Sequence, residues 1–180
     1  DLRSTLKSKE QDIDSLLKSK SYTEILKALL TDTVVDYGNL PKGLLQFHNY
    51  ENGSRTPLEE HLVEGANYCK GDDGKVFLHF TVSPSHRAKF LELIDEVKTD
   101  YEKKYDCEFI ISLSKQDTAT DTIAVNMDNS PFRLDNDEIL FRPGGHGALI
   151  QNVDGLEADL VFIKNIDNVV PDRIKETTYQ

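Results

Sequence analysis

Apolar positions in the first 30 residues recur at helical spacing. Leu2, Leu6, Ile13, Leu16 and Leu17 fall near one face with charges elsewhere, the 3.6-residue period of an amphipathic helix. Ser21 and Glu24 have capping-box spacing, which predicts a helix through Ile25, Leu26, Leu29 and Leu30. Gly38, Asn39 and Pro41 break the pattern over 36–43. The run Leu44-Leu45-Gln46-Phe47 predicts a short strand. Thr56-Pro57-Leu58-Glu59 is a helix start, with an N-cap, a proline in the first turn and an acid behind it. Leu58, Leu62 and Ala66 share one face of that helix. Residues 76–82 predict a strong strand, and Phe90, Ile94, Val97 and Tyr101 step through a helix over 84–104. Further strands are predicted at 107–113, more weakly at 122–126 and 138–141, and finally at 159–166, where Leu160, Val161, Phe162 and Ile163 are consecutive.

Alternating strands and helices are the pattern of parallel α/β layers. The expectation is a three-layer, Rossmann-like α/β domain with a mostly parallel sheet over 37–180, behind a helical N-terminal extension over 1–36. Ligands of such sheets bind beyond the carboxyl ends of the strands. The segments after Phe47, Val82, Leu113 and Ile166 are therefore the places to look for chemistry.

Charge and composition narrow the partners. The 180 residues carry 21 Lys+Arg against 32 Asp+Glu, a net charge of −11. A nucleic-acid binder needs positive potential along its contact face, so no nucleic-acid partner is expected. No apolar run approaches the roughly 20 residues of a membrane helix, so no membrane partner is expected either. Two cysteines, Cys69 and Cys107, are too few for a disulfide scaffold, and a reducing, cytoplasmic setting follows. The chain starts at Asp1, and the expectation is either an excised piece of a longer chain or a stripped relative of one.

Several constellations are absent. His48, His61, His79 and His86 have no zinc spacing with either cysteine. His79, inside an apolar strand, reads as a hydrogen-bonded core histidine. There is no G-x-S-x-G, no Walker loop and no G-x-G-x-x-G.

Four segments carry candidate chemistry. Asn165-Ile166-Asp167-Asn168 offers a carboxylate and two amides, suited to Mg²⁺ shared with phosphate oxygens and to sugar hydroxyls. Its competing local reading is an Asx turn capping a helix that starts near Pro171. In Pro143-Gly144-Gly145-His146-Gly147 the glycines allow close backbone approach, and His146 can bond phosphate or a hydroxyl. A plain glycine turn explains the same run. Lys42, held after Pro41, is a candidate phosphoryl partner, although most lysines are merely solvated. Gln116, after the strand at 107–113, has an amide able to read a base edge, or is an ordinary loop residue.

Taken in order, Pro41-Lys42, Gln116, Pro143-Gly144-Gly145-His146-Gly147 and Asn165-Ile166-Asp167-Asn168 resemble the sugar-nucleotide pyrophosphorylases of the uridylyltransferase type. Closer still, the runs LPKGLLQFH, RTPLEEHLVEGA, FRPGGHGALI and FIKNIDNVVPDR look like a bacterial family of unknown function distantly related to those enzymes. The resemblance covers about residues 37–175. It implies a nucleotide or sugar-nucleotide partner and Mg²⁺. Lys42 is then similar to the phosphate-contacting, catalytic lysine and Gln116 to the reader of uracil. Gly145 and His146 match the loop contacting nucleotide or sugar, Asn165 a ribose or sugar contact, and Asp167 the metal carboxylate. One element departs: the G-x-G-[ST]-R-type triphosphate loop, which precedes Pro-Lys in those enzymes, is absent here. Gly53-Ser54-Arg55 falls after Lys42 and reads as a hairpin or loop leading to the Thr56 cap. Catalysis is expected only if a longer chain supplies the loop. The alternatives are a noncatalytic nucleotide-binding module and a structural or interaction domain.

Overall fold

The computed structural model describes residues 2–8, 11–31 and 35–179, with the side chains of Ser4, Thr5 and Ser8 excepted. The chain is a mixture of helix and short strands in two compact units. One comprises 1–77, 89–109 and 164–180, and the other 78–88 and 110–163.

In the first unit, the helical N-terminal region is three short helices, α1 (Leu2–Ser8), α2 (Ile13–Lys18) and α3 (Tyr22–Leu30). Residues 1, 9 and 10 of the predicted helical stretch lie outside the described residues. Asp12 caps α2 by accepting from the Asp14 and Ser15 amides, and Lys20, at φ 57°, turns the chain into α3. Ser21 is the N-cap of α3, but its hydroxyl meets Ser19 Oγ at 2.9 Å and makes no cap bond, so the predicted capping box is not formed. The predicted strand over 44–47 is also absent. Leu44 N–H donates to Pro41 O and Leu45 N–H to Lys42 O, winding Lys42–Leu44 into a 3₁₀ turn. The strand comes later, as β1 (His48–Tyr50), paired antiparallel with β2 (Gly53–Arg55) in a hairpin whose exit uses Gly53 at φ 127°.

Helix α4 (Pro57–Tyr68) starts where the pattern predicts. Thr56 Oγ1 accepts from the Glu59 amide, and the Glu59 carboxylate accepts from the Thr56 amide, a complete capping box. Leu58, Leu62, Val63 and Ala66 are buried, as are Phe90 and Ile94 of α5 (Arg87–Tyr105) and Phe109. This is the main core, and α4 is enclosed on nearly every side.

Strands β3 (Lys75–Thr81) and β4 (Glu108–Ser114) precede and follow α5 in the chain and form a two-stranded sheet. Glu108 N–H donates to Gly74 O at one end and Val82 N–H to Ser114 O at the other, so the strands run parallel. A parallel pair needs a crossover between its strands, and α5 supplies it. The remaining sheets are two-stranded and antiparallel, β1–β2 and the pairing of β5 (Thr122–Ile123) with β6 (Phe141–Arg142). No sheet of more than two strands occurs among the described residues.

In the second unit, Phe80 and Val82 are the buried apolar residues. The predicted strand over 159–166 has no strand backbone. A fully apolar strand needs neighbours on both edges and cover on both faces. Here Leu160, Phe162 and Ile163 are 73 %, 59 % and 74 % exposed.

Candidate functional site

The site candidates begin with two acids one helical turn apart in α4. Glu60 and Glu64 have no exposed surface. A buried carboxylate is tolerated only when cations and donors surround it. Lys175, 2 % exposed, is hydrogen-bonded to Glu60 Oε2, and Arg55 Nη1 lies 3.6 Å from the same oxygen. Tyr50 donates to Glu60 Oε1 at 2.5 Å, and His48 Nδ1 lies 2.9 Å from it. Burial opposes the charge on Glu60, but the bonds from Lys175, Tyr50 and His48 outweigh it and hold its pKa below the ordinary carboxyl value. Arg55 also pairs with Asp172 at 2.8 Å and stacks 4.0 Å over the Tyr50 ring. Lys164 is hydrogen-bonded to Glu64 Oε2, whereas Glu64 Oε1 has no hydrogen-bond partner among the described residues.

Between the acids, His61 Nε2 meets Ile166 O at 3.1 Å. A carbonyl only accepts, so Nε2 carries the proton. Burial pushes the His61 pKa down. Glu60, His61 and Glu64 therefore grip Lys175, Ile166 and Lys164 in turn, fastening the C-terminal segment along α4. No single spacing in the sequence announces these contacts, which join residues 100 or more positions apart. The available signal was two acids four apart, Glu60 and Glu64, interleaved with the apolar Leu58, Leu62, Val63 and Ala66.

This clamp presents the turn at 165–168. Asn168 N–H donates to Asn165 O at 2.9 Å, closing a β-turn with Ile166 and Asp167 at its corners. Asp167 Oδ2 accepts from Lys42 Nζ at 2.6 Å, although the two are 125 positions apart. Gly43 permits that approach. A Cβ there would lie 2.7 Å from Phe90 Cζ and 3.2 Å from Ile166 Cγ1. The Lys42 side chain is 65 % exposed and that of Asp167 34 %. Asp167 does not cap the following helix: the 3₁₀ turn Asp172–Ile174 has Pro171 at its N-cap, with no side-chain cap bond. Asn165 is exposed, and its backbone oxygen closes the turn.

Three predicted residues belong to the second unit. Gln116 Nε2 donates to Thr120 Oγ1 at 3.1 Å and lies 3.5 Å from Gly144 O. Gly145 and His146 are exposed at the start of a 3₁₀ turn, His146–Leu149, which leads into the five-residue α6 (Ile150–Asp154). Gly145 has φ −68°, open to any residue, and a Cβ there would meet nothing within 4 Å. The position that demands glycine is Gly144, where a Cβ would lie 2.6 Å from Thr120 O. The structure thus brings together Lys42 with Asp167, and Gln116 with the glycine loop.

Among the described residues, no group of three His, Cys, Asp or Glu side chains is arranged to hold a metal ion. Asp167 supplies one carboxylate, a donor set that fits Mg²⁺ only when phosphate oxygens complete the shell. Both cysteines are free thiols, raised above the ordinary thiol pKa by burial. No described helix is long and apolar enough to cross a membrane.

No curated protein and no solved structure matches the chain. Its family is nevertheless shown across the full length: residues 1–180 match DUF4301, a domain of unknown function, and the chain belongs to that family.

Proposed function

We propose that the protein binds a nucleotide or sugar nucleotide as a nucleotidyltransferase-like domain of the UDP-sugar pyrophosphorylase type. The observation that carries this reading is the 2.6 Å approach of Lys42 to Asp167 on a clamped turn. Phosphoryl transfer relies on positioned cations that neutralise developing charge. A largely exposed lysine ammonium can turn from Asp167 to a phosphate, and Asp167 can then share the Mg²⁺ that arrives with the nucleotide. In this reading Lys42 is the catalytic cation, Asp167 the metal ligand and Asn165 a ribose or sugar contact. Gln116, Gly145 and His146 contact base, nucleotide or sugar. The parallel β3-α5-β4 unit supports its finer form, a three-layer Rossmann-like sheet, and the free cysteines support a cytoplasmic setting.

The exposure of Leu160, Phe162 and Ile163 favours a second reading, a protein-interaction domain. Calorimetric titration with UTP, UDP-sugars and ATP, with and without Mg²⁺, separates the two. The nucleotide reading expects Mg²⁺-dependent binding of a uridine nucleotide, with little pyrophosphate release by residues 1–180 alone. Absence of heat and of thermal shift with every nucleotide would refute it and leave the interaction domain.

A further inference from the structure

We infer that Ser114 is an activated nucleophile with His79 as its general base, a reactivity toward small activated esters that is independent of the nucleotide reading. His79, on β3, has both ring nitrogens engaged by alternate residues of β4. Nδ1 lies 2.7 Å from Ser112 Oγ and Nε2 2.8 Å from Ser114 Oγ. Side chains two apart on a strand share a face, which is why one imidazole can reach both serines.

Asn152 of α6 fixes one donor to Ser114. Its Nδ2 is 2.9 Å from Lys115 O, and a carbonyl can only accept, so this amide group is oriented with nitrogen toward the strand. The same Nδ2 donates to Ser114 Oγ at 2.7 Å. The Ser114 hydroxyl hydrogen then has two acceptors in reach, His79 Nε2 at 2.8 Å and Thr81 Oγ1 at 3.3 Å. The nearer of the two is His79 Nε2. In the proposed assignment Ser114 O–H donates to Nε2, Nδ1–H donates to Ser112 Oγ, and the ring is neutral. Burial lowers the His79 pKa, in agreement with that state.

A nucleophile bonded to a base, with the base oriented by a third group, is the arrangement that covalent catalysis requires. With an ester, Ser114 Oγ forms a bond to the acyl carbon while its proton passes to His79 Nε2. The ester C–O bond then breaks, and the alcohol leaves with that proton. Water, deprotonated by His79 in its turn, displaces the acyl group as a carboxylic acid and restores Ser114. The rival explanation is a polar lock between neighbouring strands, which would leave Ser114 unreactive.

A fluorophosphonate probe applied to the full chain tests this directly. Ser114 Oγ–P bond formation expels fluoride as the P–F bond breaks, with the serine proton taken by His79. Peptide mapping by mass spectrometry should place the adduct on Ser114. Ser114→Ala should abolish it, and His79→Gln should slow it at least tenfold without loss of the folded circular-dichroism spectrum. In Ser112→Ala the adduct should stay on Ser114 but form more slowly, because the ring loses its orienting partner. A second measurement uses Ser114→Cys, in which the introduced thiol should react with iodoacetamide at least tenfold faster than Cys69 or Cys107. Three results would overturn the assignment: no adduct on Ser114 above that of urea-unfolded protein, an adduct indifferent to His79→Gln, or an introduced thiol no faster than the native cysteines.

Discussion

Lys175 is buried against Glu60, a residue 115 positions earlier, and the ion pair ties the C-terminal segment to the most enclosed helix of the protein. Removing one partner of a buried pair strands the other charge and costs about 3–5 kcal/mol. Lys175→Met should therefore lower stability by about that amount in chemical denaturation. Glu60→Gln should do less than add to it, because the two groups share one network. Strict additivity would show that the contact contributes nothing specific.

Gly43→Ala probes how Lys42 reaches Asp167. The added methyl would lie 2.7 Å from Cζ of the buried Phe90 ring, which must shift, so a loss of about 1–3 kcal/mol is expected. The same substitution should weaken Mg²⁺-dependent nucleotide binding. Wild-type thermal stability with wild-type affinity would mean that this close packing is unimportant.

At Asp167 the expectation is nearly the reverse. Its pair with Lys42 is substantially exposed, and such pairs contribute about 0–1 kcal/mol. Asp167→Asn should leave the melting temperature almost unchanged. It should lower nucleotide affinity in Mg²⁺ by about tenfold, or about 1.4 kcal/mol, with little effect in EDTA. Equal losses in both buffers would remove the metal from the proposal.

Acid should destabilise the fold in two stages. His61 and His79 have folded pKa values below 6.5, both lowered by burial, so the unfolded chain takes up these protons first and stability falls as pH drops below about 6.5. Glu60, whose folded pKa is also lowered, contributes stability that is present above about 4.5 and is lost as pH falls through the folded value. Urea midpoints measured from pH 8 to pH 3 should show both declines. His61→Gln, which retains a donor for Ile166 O, should flatten the first.

Thr56→Ala tests the capping box that opens α4. It removes the hydroxyl that receives the Glu59 amide and should cost about 1 kcal/mol. Ser21→Ala, at a start without a side-chain cap bond, should cost less in the same melts. Equal costs would mean that the cap bond at Thr56 adds no stability.

What the sequence determined by itself was local. The Thr56 start, the apolar stripe of α4 and the strand-helix-strand order from 75 to 114 follow from interactions within a few residues of chain, and all appear in the structure. At Gly53-Ser54-Arg55 the sequence left a hairpin or a loop open, and the pairing with His48–Tyr50 made it a hairpin. Where a strand needs a neighbour, the residue pattern was insufficient. The run over 159–166 has strand composition but no strand backbone, and 44–47 gave way to a turn closed by Pro41 and Lys42 carbonyls. Tertiary structure alone decided that Lys42 meets Asp167 and that α4 hides two carboxylates. It alone decided, too, that His79 lies between two serines. Each of these depends on groups that are distant along the chain. Burial makes the pairing of the α4 acids compulsory, because a charge withdrawn from water must find a partner, and nothing local to Glu60 or Glu64 names which cation that will be.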